Sequence, residues 1–290
     1  MAFGFYLRRQ TLSAGCIRLR RKALVFTDKF AQAVALIVRL GAFFRHAPVL
    51  VVTDSWFGNN GLFKPLRARL GKRVHLLSRL RVNAALYALP EPVPGKTGRP
   101  RKYGKRLGNA AELAAAMRAK AQTYTLHVYG AVREVVAAEQ VVMLKSLRCP
   151  VRVVWVYRRS QWVALMTTDL TLSVAQIIEY YSARWKIEAA FREIKQEIGS
   201  AHTQTRNPDA VFNHLSFCML ATALTWIYAE HLNQAPIRRY PSQHTTEYTF
   251  ADVRRALAKD IANEGFGIDC QDHAKPDRNP LISAVMRLVA

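Results

Sequence analysis

The chain has 290 residues, of which 50% are hydrophobic and 22% are charged, so its composition excludes an intrinsically disordered protein and fits one large domain or two modest ones. Its 43 Lys and Arg residues exceed its 20 Asp and Glu residues, which gives a formal net charge of +23 and predicts a polyanionic partner. Nucleic acid is favoured over an anionic membrane surface, because the basic residues are spread along the whole chain.

The cysteines and the apolar stretches narrow the class of protein further. The four cysteines are far apart in sequence and form no CxxC pair, which argues for a reducing compartment and against a disulfide framework or a structural zinc site. The N-terminal residues lack the apolar core and cleavage site of a signal peptide. The apolar stretch 31–44 is interrupted by Arg39, and the apolar stretch 215–229 is too short to span a membrane. Both are therefore predicted to be buried helices of a soluble protein.

The first 81 residues alternate strand and helix patterns. The segments FGFYLRR and CIRLRRKAL are predicted to be short strands or a hairpin, and Thr27–Asp28 is predicted to begin an apolar-periodic helix. The continuous apolar run PVLVVTD predicts a strand buried on both faces, which ends at Asp54 before the turn-rich loop SWFGNNG. A basic helix, LFKPLRARLG, and an apolar strand, VHLLSRLR, complete an order that indicates an α/β sheet with some parallel strands.

The next residues, 82–172, predict a mostly β insert that begins with a Pro/Gly/basic linker, LPEPVPGKTGRPRKYGKRLG. After the linker, β-branched and alternating segments indicate strands in TYTLHVYG, EVVAAEQVVMLKSL and PVRVVWVYRRSQWVALMTT. The patterns therefore predict a first part of the α/β domain at 1–81, then this insert, then two helices that complete the core at 173–235, and a helical tail at 236–290.

Three helices are predicted in the C-terminal part of the chain. A long helix capped by Ser173 runs to about residue 199, and a strongly apolar helix begins at Asn207–Pro208, since Pro suits the first helical position. The tail contains one further helix, TFADVRRALAKDIAN, capped by Thr249.

The segment YSARWKIEAAFREIK, residues 181–195, aligns polar side chains on helical spacing. In a continuous helix, at about 100° per residue, Tyr181, Arg184, Glu188 and Lys195 fall within roughly 60° around the axis. Arg192 falls in the same arc, and an apolar stripe beside it is predicted to face the core. The alternative is a surface helix with ordinary i,i+3 and i,i+4 charge pairs, and the spacing alone leaves both open.

Asp54 is a candidate catalytic residue, because α/β sheets place ligands at the carboxyl ends of their strands. The alternative role is to cap the following loop through backbone N–H groups. Two buried carboxylates, Asp54 and Glu188, would repel each other unless a cation lay between them, so a divalent ion with oxygen ligands is indicated. Two-metal sites of this kind support phosphodiester chemistry, and the basic neighbours Arg184 and Lys195 would then hold phosphates.

The pattern Tyr181-x2-Arg184-x3-Glu188-x6-Lys195 resembles the Y-R-E-K signature of insertion-sequence DDE transposases. The segment TDSWFGN resembles the one that carries that family's second catalytic Asp, here Asp54. The 133 residues between the two carboxylates are similar to the interval in members with a β-strand insert. With HLLSRLR, GRPRKYG and DLTLS followed by YYSARWKIEAAF, the resemblance covers about residues 1–235.

The resemblance implies a ribonuclease H-like fold of the α/β class: a mixed sheet flanked by helices, interrupted by the β insert and followed by a helical C-terminal region. It implies a DNA transposase that performs metal-dependent strand cleavage and strand transfer with Mg²⁺ or Mn²⁺, of the two-metal type when all acidic ligands are present. Asp54 and Glu188 would be catalytic metal ligands, and Tyr181, Arg184 and Lys195 would contact the DNA backbone. Arg192, from its place in the same arc, is a further DNA-binding candidate. The implied partners are double-stranded DNA and a second copy of the chain in a synaptic complex, associated with the nucleoid in a bacterial cytoplasm, with no membrane.

The sequence departs from the family pattern before Asp54. The family's first catalytic Asp lies on the first strand of the sheet, but only 53 residues precede Asp54 and Asp28 is the only acidic residue among them. Asp28 begins a predicted helix, where it is expected to favour the helix dipole. An N-terminal truncation is therefore expected, with the first strand and first Asp missing, a sheet edge or face exposed, and little or no catalysis from this chain alone.

Further DNA contacts are predicted outside the signature. The segment GRPRK resembles the core of an AT-hook, with Arg99, Arg101 and Lys102 at the minor groove; the alternative is a solvated basic loop that adds phosphate contacts. Trp185 and Trp162 are candidates to stack on an unstacked base, although core packing is favoured for Trp162. Two other functions stay open: a catalytically silent DNA-binding or regulatory transposase fragment, and another ribonuclease H-like nuclease.

Overall fold

The computed structural model describes residues 3–91, 101–232, 234–240 and 248–263, which belong to two units. The sheet unit comprises the described residues of Ala2–Ala14 and Val25–Lys186. The helical unit comprises Gly15–Leu24 and the described residues from Ile187 onward.

The described residues contain ten strands and eight α-helices. The strands are β1 Arg18–Leu19, β2 Lys22–Ala23, β3 Val49–Thr53, β4 Val74–Arg79, β5 Ala85–Tyr87, β6 Arg106–Asn109, β7 Gln122–Val128, β8 Ala131–Leu144, β9 Cys149–Arg158 and β10 Gln161–Thr167. The helices are α1 Arg9–Ser13, α2 Lys29–Gly41, α3 Asn60–Leu70, α4 Ala110–Arg118, α5 Val174–Ala183, α6 Lys186–Arg192, α7 Pro208–Glu230 and α8 Phe250–Asn263. A 3₁₀ turn spans Gly71–Arg73 and a π-helical turn spans Glu193–Glu197.

The sheet unit is built on one eight-stranded mixed sheet in the order β3-β4-β10-β9-β8-β5-β6, with β7 also paired to β8. The pair β3–β4 is parallel and places Thr53 opposite Ser78, whereas the other pairs in this sheet are antiparallel. Because β10 returns to pair with β4, the strands of the predicted insert extend the same sheet. The predicted mixed α/β sheet flanked by helices is confirmed.

Helices cover both faces of the sheet. Because successive side chains of a strand point to opposite faces, each strand contributes side chains to both cores. In β4, Leu76 belongs to the core cluster that also contains residues of α2, α3 and α4, and its neighbour Leu77 belongs to the cluster shared with α5. Trp155 of β9 is fully buried and donates from Nε1 to the carbonyl oxygen of Ala110 at 3.0 Å, which ties α4 to the sheet.

Three predicted helix starts are confirmed by their capping bonds. Asp28 accepts a hydrogen bond from the Ala31 N–H at 2.9 Å at the start of α2, so this carboxylate has the helix role expected of it. Ser173 forms a capping box at the start of α5. Thr249 does the same for α8, because its backbone N–H donates to Asp252 and its hydroxyl oxygen accepts from the Asp252 N–H.

The strand predicted in FGFYLRR is wrong. Residues 3–8 form no regular element and α1 follows them, while the predicted hairpin in CIRLRRKAL is present as β1–β2. The aromatic residues of this segment pack locally instead of pairing in a sheet. Tyr6 makes an edge contact with Phe26, and the backbone carbonyl of Phe5 accepts a hydrogen bond from Gln32 of α2.

The single long helix predicted from Val174 to about residue 199 is also wrong. It ends as α5 at Ala183, and α6 begins at Lys186. The N–H groups of Arg184 and Trp185 bond to carbonyls three residues back, and the Ser182 hydroxyl bonds to the Glu179 carbonyl at 2.8 Å. Side-chain hydrogen bonds of this kind compete with the backbone ladder and bend or end helices.

Two burial predictions need correction. Every residue of β3 is half-buried rather than buried on both faces, because β3 lies at the end of the sheet and pairs only with β4 among the described strands. The apolar stretch 215–229, predicted to be a buried helix, lies within α7, which begins at Pro208 as predicted. Only 17% of the most apolar window of α7 is buried. Within the described residues α7 is long and apolar enough to cross a membrane, a test that core helices of soluble proteins also pass.

The helical unit has a small core of its own. Tyr228 and Ala229 of α7 are buried against Val253 of α8. At the other end of α7, Asp209 accepts a hydrogen bond from the backbone N–H of Arg20 at 2.6 Å, which joins the β1–β2 hairpin to this unit.

Candidate active site

Asp54 directly follows β3, at the carboxyl end of the one parallel strand pair that the described residues form, and its side chain is exposed. Its Oδ1 accepts hydrogen bonds from the backbone N–H groups of Trp56 at 3.0 Å and Phe57 at 3.1 Å. The loop-capping role considered as the alternative is therefore present. It engages one carboxylate oxygen, and Oδ2 takes part in neither bond, so the cap and a ligand role are compatible.

The backbone at Asp54 is held by the neighbouring strand. The fully buried Ser78 of β4 donates from its hydroxyl to the Asp54 carbonyl oxygen at 2.7 Å. Gly58 packs so closely on this serine that a Cβ at position 58 would lie 2.3 Å from Ser78 Oγ. Sequence reasoning missed both residues, although the glycine in SWFGNNG and the serine within an apolar strand were the available signals.

An aromatic stack anchors the same loop to α2. The Trp56 ring lies on the Phe30 ring with centroids 4.7 Å apart and an interplanar angle of 9°, and Phe57 meets the indole edge-on at 4.7 Å. The Lys29 ammonium lies 5.5 Å from the Trp56 centroid, a cation–π distance. The loop's largest side chain therefore contributes to holding the segment that carries Asp54.

Three of the predicted DNA-binding residues come together at the end of α5. The Arg184 guanidinium lies 5.8 Å from the Tyr181 ring centroid and 6.0 Å from that of Trp185. Tyr129, in the turn between β7 and β8, meets Trp185 edge-on with centroids 6.3 Å apart. Both of these rings are at least half exposed, at 58% for Tyr129 and 50% for Trp185. The sequence did not single out Tyr129, because only the pairing of β7 with β8 sets its position.

The remaining signature residues belong to the helical unit. Glu188 and Arg192 are exposed on α6, and Lys195 is exposed in the π-helical turn. The continuous helix that the predicted common arc of Tyr181 to Lys195 requires is absent, because α5 ends at Ala183 and Lys195 lies in the π-helical turn. The pairing of Glu188 with Asp54 stays a prediction.

The described residues do not supply a complete set of ligands for a metal ion. Across the described ranges, no group of three or more His, Cys, Asp or Glu side chains is placed to hold a metal ion. Asp54 and Glu188 would supply two carboxylates, whereas hard divalent ions take about six or more oxygen ligands. Asp28 caps α2 through one carboxylate oxygen and belongs to no group of three such side chains among the described residues. These residues alone therefore do not fit a two-metal centre.

The outlying DNA-contact predictions have mixed outcomes. Arg101 and Lys102 are exposed, which suits a solvated basic loop as well as a groove contact, and Arg99 lies outside the described residues. Trp162 packs against the larger core cluster of the sheet unit, as favoured from the sequence.

The family model described as the transposase DDE domain matches residues 23–224, more than half of the chain. The matched range runs from the β1–β2 hairpin into α7 and includes both Asp54 and Glu188. No curated protein matches the sequence.

Proposed function

Because the chain belongs to the transposase DDE domain family, with its ribonuclease H-like fold, we propose that it is a DNA transposase that cleaves and joins phosphodiester bonds at the ends of an insertion sequence. The family acts on DNA by nuclease-type chemistry and generally uses divalent metals. The observation that carries the proposal for this chain is Asp54: an exposed carboxylate at the carboxyl end of a parallel strand, with its backbone and one oxygen held by hydrogen bonds.

Asp54 and Glu188 take the part of the family's acidic residues in this proposal, as ligands of Mg²⁺ or Mn²⁺. Hydrogen bonds from the Trp56 and Phe57 N–H groups to Asp54 Oδ1 orient the carboxylate and leave Oδ2 for a cation. Two carboxylates do not complete a metal site, so the contribution of these residues is limited to anchoring and charge.

The cluster at the end of α5 is suited to the DNA backbone beside the reacting bond. Arg184 offers a planar fork of donors that matches phosphate oxygens, and the rings of Tyr181 and Trp185 hold its guanidinium. The exposed face of Trp185 suits stacking on an unstacked base. Arg192 and Lys195 in the helical unit, with Arg101 and Lys102 in the sheet unit, would add phosphate contacts as exposed cations.

Cleavage by the full chain tests the proposal. The substrate is duplex DNA that carries the terminal sequences flanking the protein's own gene, compared with a scrambled-end duplex, in Mg²⁺ or Mn²⁺. Asp54→Asn keeps a side-chain oxygen for the loop bonds but removes the charge, so we expect it to lose the cleavage that the unmodified chain shows, however low, and to keep DNA affinity. Asp28→Asn, a change at the cap of α2, serves as the matched control and should keep cleavage. Equal cleavage by Asp54→Asn and the unmodified chain would refute the catalytic role.

A catalytically silent DNA-binding protein is the second candidate. It is favoured by the absence, among the described residues, of a third acidic ligand near either carboxylate. In that case the unmodified chain would bind DNA with an affinity that falls steeply with salt, but would not cut it. Cleavage without joining of the cut ends would instead indicate a nuclease that does not move DNA.

The proposed assembly is a homodimer that pairs two transposon ends in a synaptic complex at the bacterial nucleoid. Light scattering of the chain alone and with end-sequence DNA measures this directly. A complex of one chain on one duplex, at concentrations that saturate binding, would contradict it.

A further inference from the structure

A basic pocket lies in the sheet unit next to the loop that carries Asp54. Its volume is about 320 Å³, and its polar lining residues are Ser55, Asn59, Arg79, Arg81, Asn83 and Ser146. These residues come from the loop after β3, the end of β4 and the turn between β8 and β9. No acidic residue lines the pocket, so its charged lining residues, Arg79 and Arg81, are both positive.

The two arginines are available to a ligand. Arg79 and Arg81 are exposed, and neither forms an ion pair or a side-chain hydrogen bond with another described residue. Two guanidinium groups that share one concave surface repel each other, so an anion between them lowers the energy of both. A planar guanidinium also offers two parallel donors to phosphate oxygens.

The wall that carries these arginines is held on both sides. The N–H of Leu80, which lies between them, donates to the carbonyl oxygen of Ala164 in β10 at 2.8 Å. The Ala84 N–H donates to the carbonyl oxygen of Arg81 at 3.0 Å and closes the turn that follows. The pocket is thus preformed by the backbone, so little ordering of the chain opposes binding.

The helix that follows Asn59, another lining residue, adds a weaker positive field. Asn59 caps α3, an 11-residue helix with no acidic residue in its first turn. The N-terminus of a helix carries about half a positive charge, which favours an anion nearby. The volume of about 320 Å³ is at the lower end of small-ligand pockets, which run from about 300 to 1,000 Å³, so one phosphate with its sugar fits and a duplex does not.

We infer that this Arg79–Arg81 pocket binds a backbone phosphate of the DNA strand that passes Asp54. The inference rests on the proposed function, since it assigns a phosphate subsite to the same reaction. Ser55 lines the pocket and is the next residue after Asp54, so a phosphate held here lies beside the loop that carries that carboxylate. Arg79 and Arg81 act as positioning residues, because they bind the backbone and do not read base edges.

Salt dependence of DNA binding tests the pocket. One phosphate contact contributes about 0.9 to the slope of log affinity against log salt, so a variant that combines Arg79→Gln with Arg81→Gln should lower that slope by about 0.9, and each single change should lower it by part of that amount. Equivalently, the ratio of the affinity of the unmodified chain to that of the combined variant should shrink about 3.5-fold between about 50 mM and about 200 mM salt. Arg158→Gln, at the exposed end of β9, is the matched control and should leave the slope closer to that of the unmodified chain. Arg79→Lys keeps the positive charge, so its slope should stay close to that of the unmodified chain.

The outcomes separate this inference from the proposed function. A flat salt response of the unmodified chain would refute DNA binding as a whole. A steep response that Arg79→Gln and Arg81→Gln change no more than Arg158→Gln does would overturn the pocket alone and leave the transposase proposal intact.

A footprint on the unmodified chain covers the case in which a variant fails to fold. Phenylglyoxal modifies exposed arginines, and peptide mapping with and without duplex DNA reports which of them the DNA protects. Protection of Arg79 and Arg81 but not Arg158 supports the pocket. Equal modification of Arg79 and Arg81 with and without saturating DNA overturns it.

Discussion

Replacing Gly58 with Ala tests how the Asp54 loop is held against β4. The added Cβ would lie 2.3 Å from Ser78 Oγ and 2.9 Å from Ser78 Cβ, and Ser78 is fully buried. The serine must therefore move, and its hydrogen bond to the Asp54 carbonyl oxygen, 2.7 Å long, is strained or lost. The perturbation starts four residues from the candidate catalytic carboxylate and reaches it through a side chain on another strand.

The expected cost combines three terms. Overpacking a buried contact costs about 1–3 kcal/mol, and a lost hydrogen bond adds about 0.5–1.5 kcal/mol. The lower entropy of an unfolded chain with Ala in place of Gly returns about 0.4–1 kcal/mol. We therefore expect Gly58→Ala to lower the free energy of unfolding by about 0.5–4 kcal/mol, and to reduce DNA cleavage by more than DNA affinity.

A double-mutant cycle in urea unfolding isolates the contact. Ser78→Ala removes the oxygen that meets the new Cβ, so Gly58→Ala combined with Ser78→Ala should be less destabilising than the sum of the single changes, by about 0.5–3 kcal/mol. Gly4→Ala is the matched control, since no heavy atom lies within 4 Å of a Cβ there. Additivity of the two changes within about 0.5 kcal/mol would refute the predicted steric clash.

Three further changes test other features. Asp28→Ala removes the cap of α2 and should lower the free energy of unfolding by about 0.5–2 kcal/mol in urea, whereas Asp28→Asn should cost little. Burial opposes ionisation of Asp252, but hydrogen bonds from Thr249 hold the pKa of that carboxyl below its ordinary 3.8. The ionised Asp252 therefore contributes its full stabilisation above that ordinary pKa, and this contribution is lost as the pH falls below about 4. Asp252→Asn should make the free energy of unfolding depend less on pH in this acid range, measured by unfolding followed by circular dichroism. Burial raises the pKa of the Cys149 thiol to about 11, so iodoacetamide at about pH 8 should label it at least tenfold more slowly than exposed Cys16 by peptide mapping, and equal rates would contradict that burial.

The features that sequence predicted correctly are those set by neighbours within a few residues. The caps at Asp28, Ser173 and Thr249 depend on bonds to backbone N–H groups three positions away, so they are visible as local patterns. The strand before Asp54 and the strands of the insert follow from alternation and apolar runs. The Y-R-E-K spacing and the segment around Asp54 pointed to the family that the matched range then showed.

The errors arise where a local pattern competes with a distant contact or a side-chain bond. The periodicity of 181–195 indicated one continuous helix, but the bond from the Ser182 hydroxyl and the packing of Trp185 against Tyr129 coincide with its break. The apolar run before Asp54 indicated a strand buried on both faces, although its half-burial is set by its place at the end of the sheet. Neither the contact with Tyr129 nor the place of β3 in the sheet can be predicted from the sequence of the helix or the strand itself.

By itself, the sequence determined the α/β class, the basic character of the protein, the helix starts and the family pattern of Asp54 and Glu188, because these depend on composition and short-range spacing. Only the tertiary structure decided what supports Asp54. Ser78 and Gly58 hold its loop, and Arg79 and Arg81 form a phosphate-sized pocket beside it. The physical reason is that β4 follows β3 by about twenty residues and meets it through parallel pairing, so these contacts exist only once the sheet has formed.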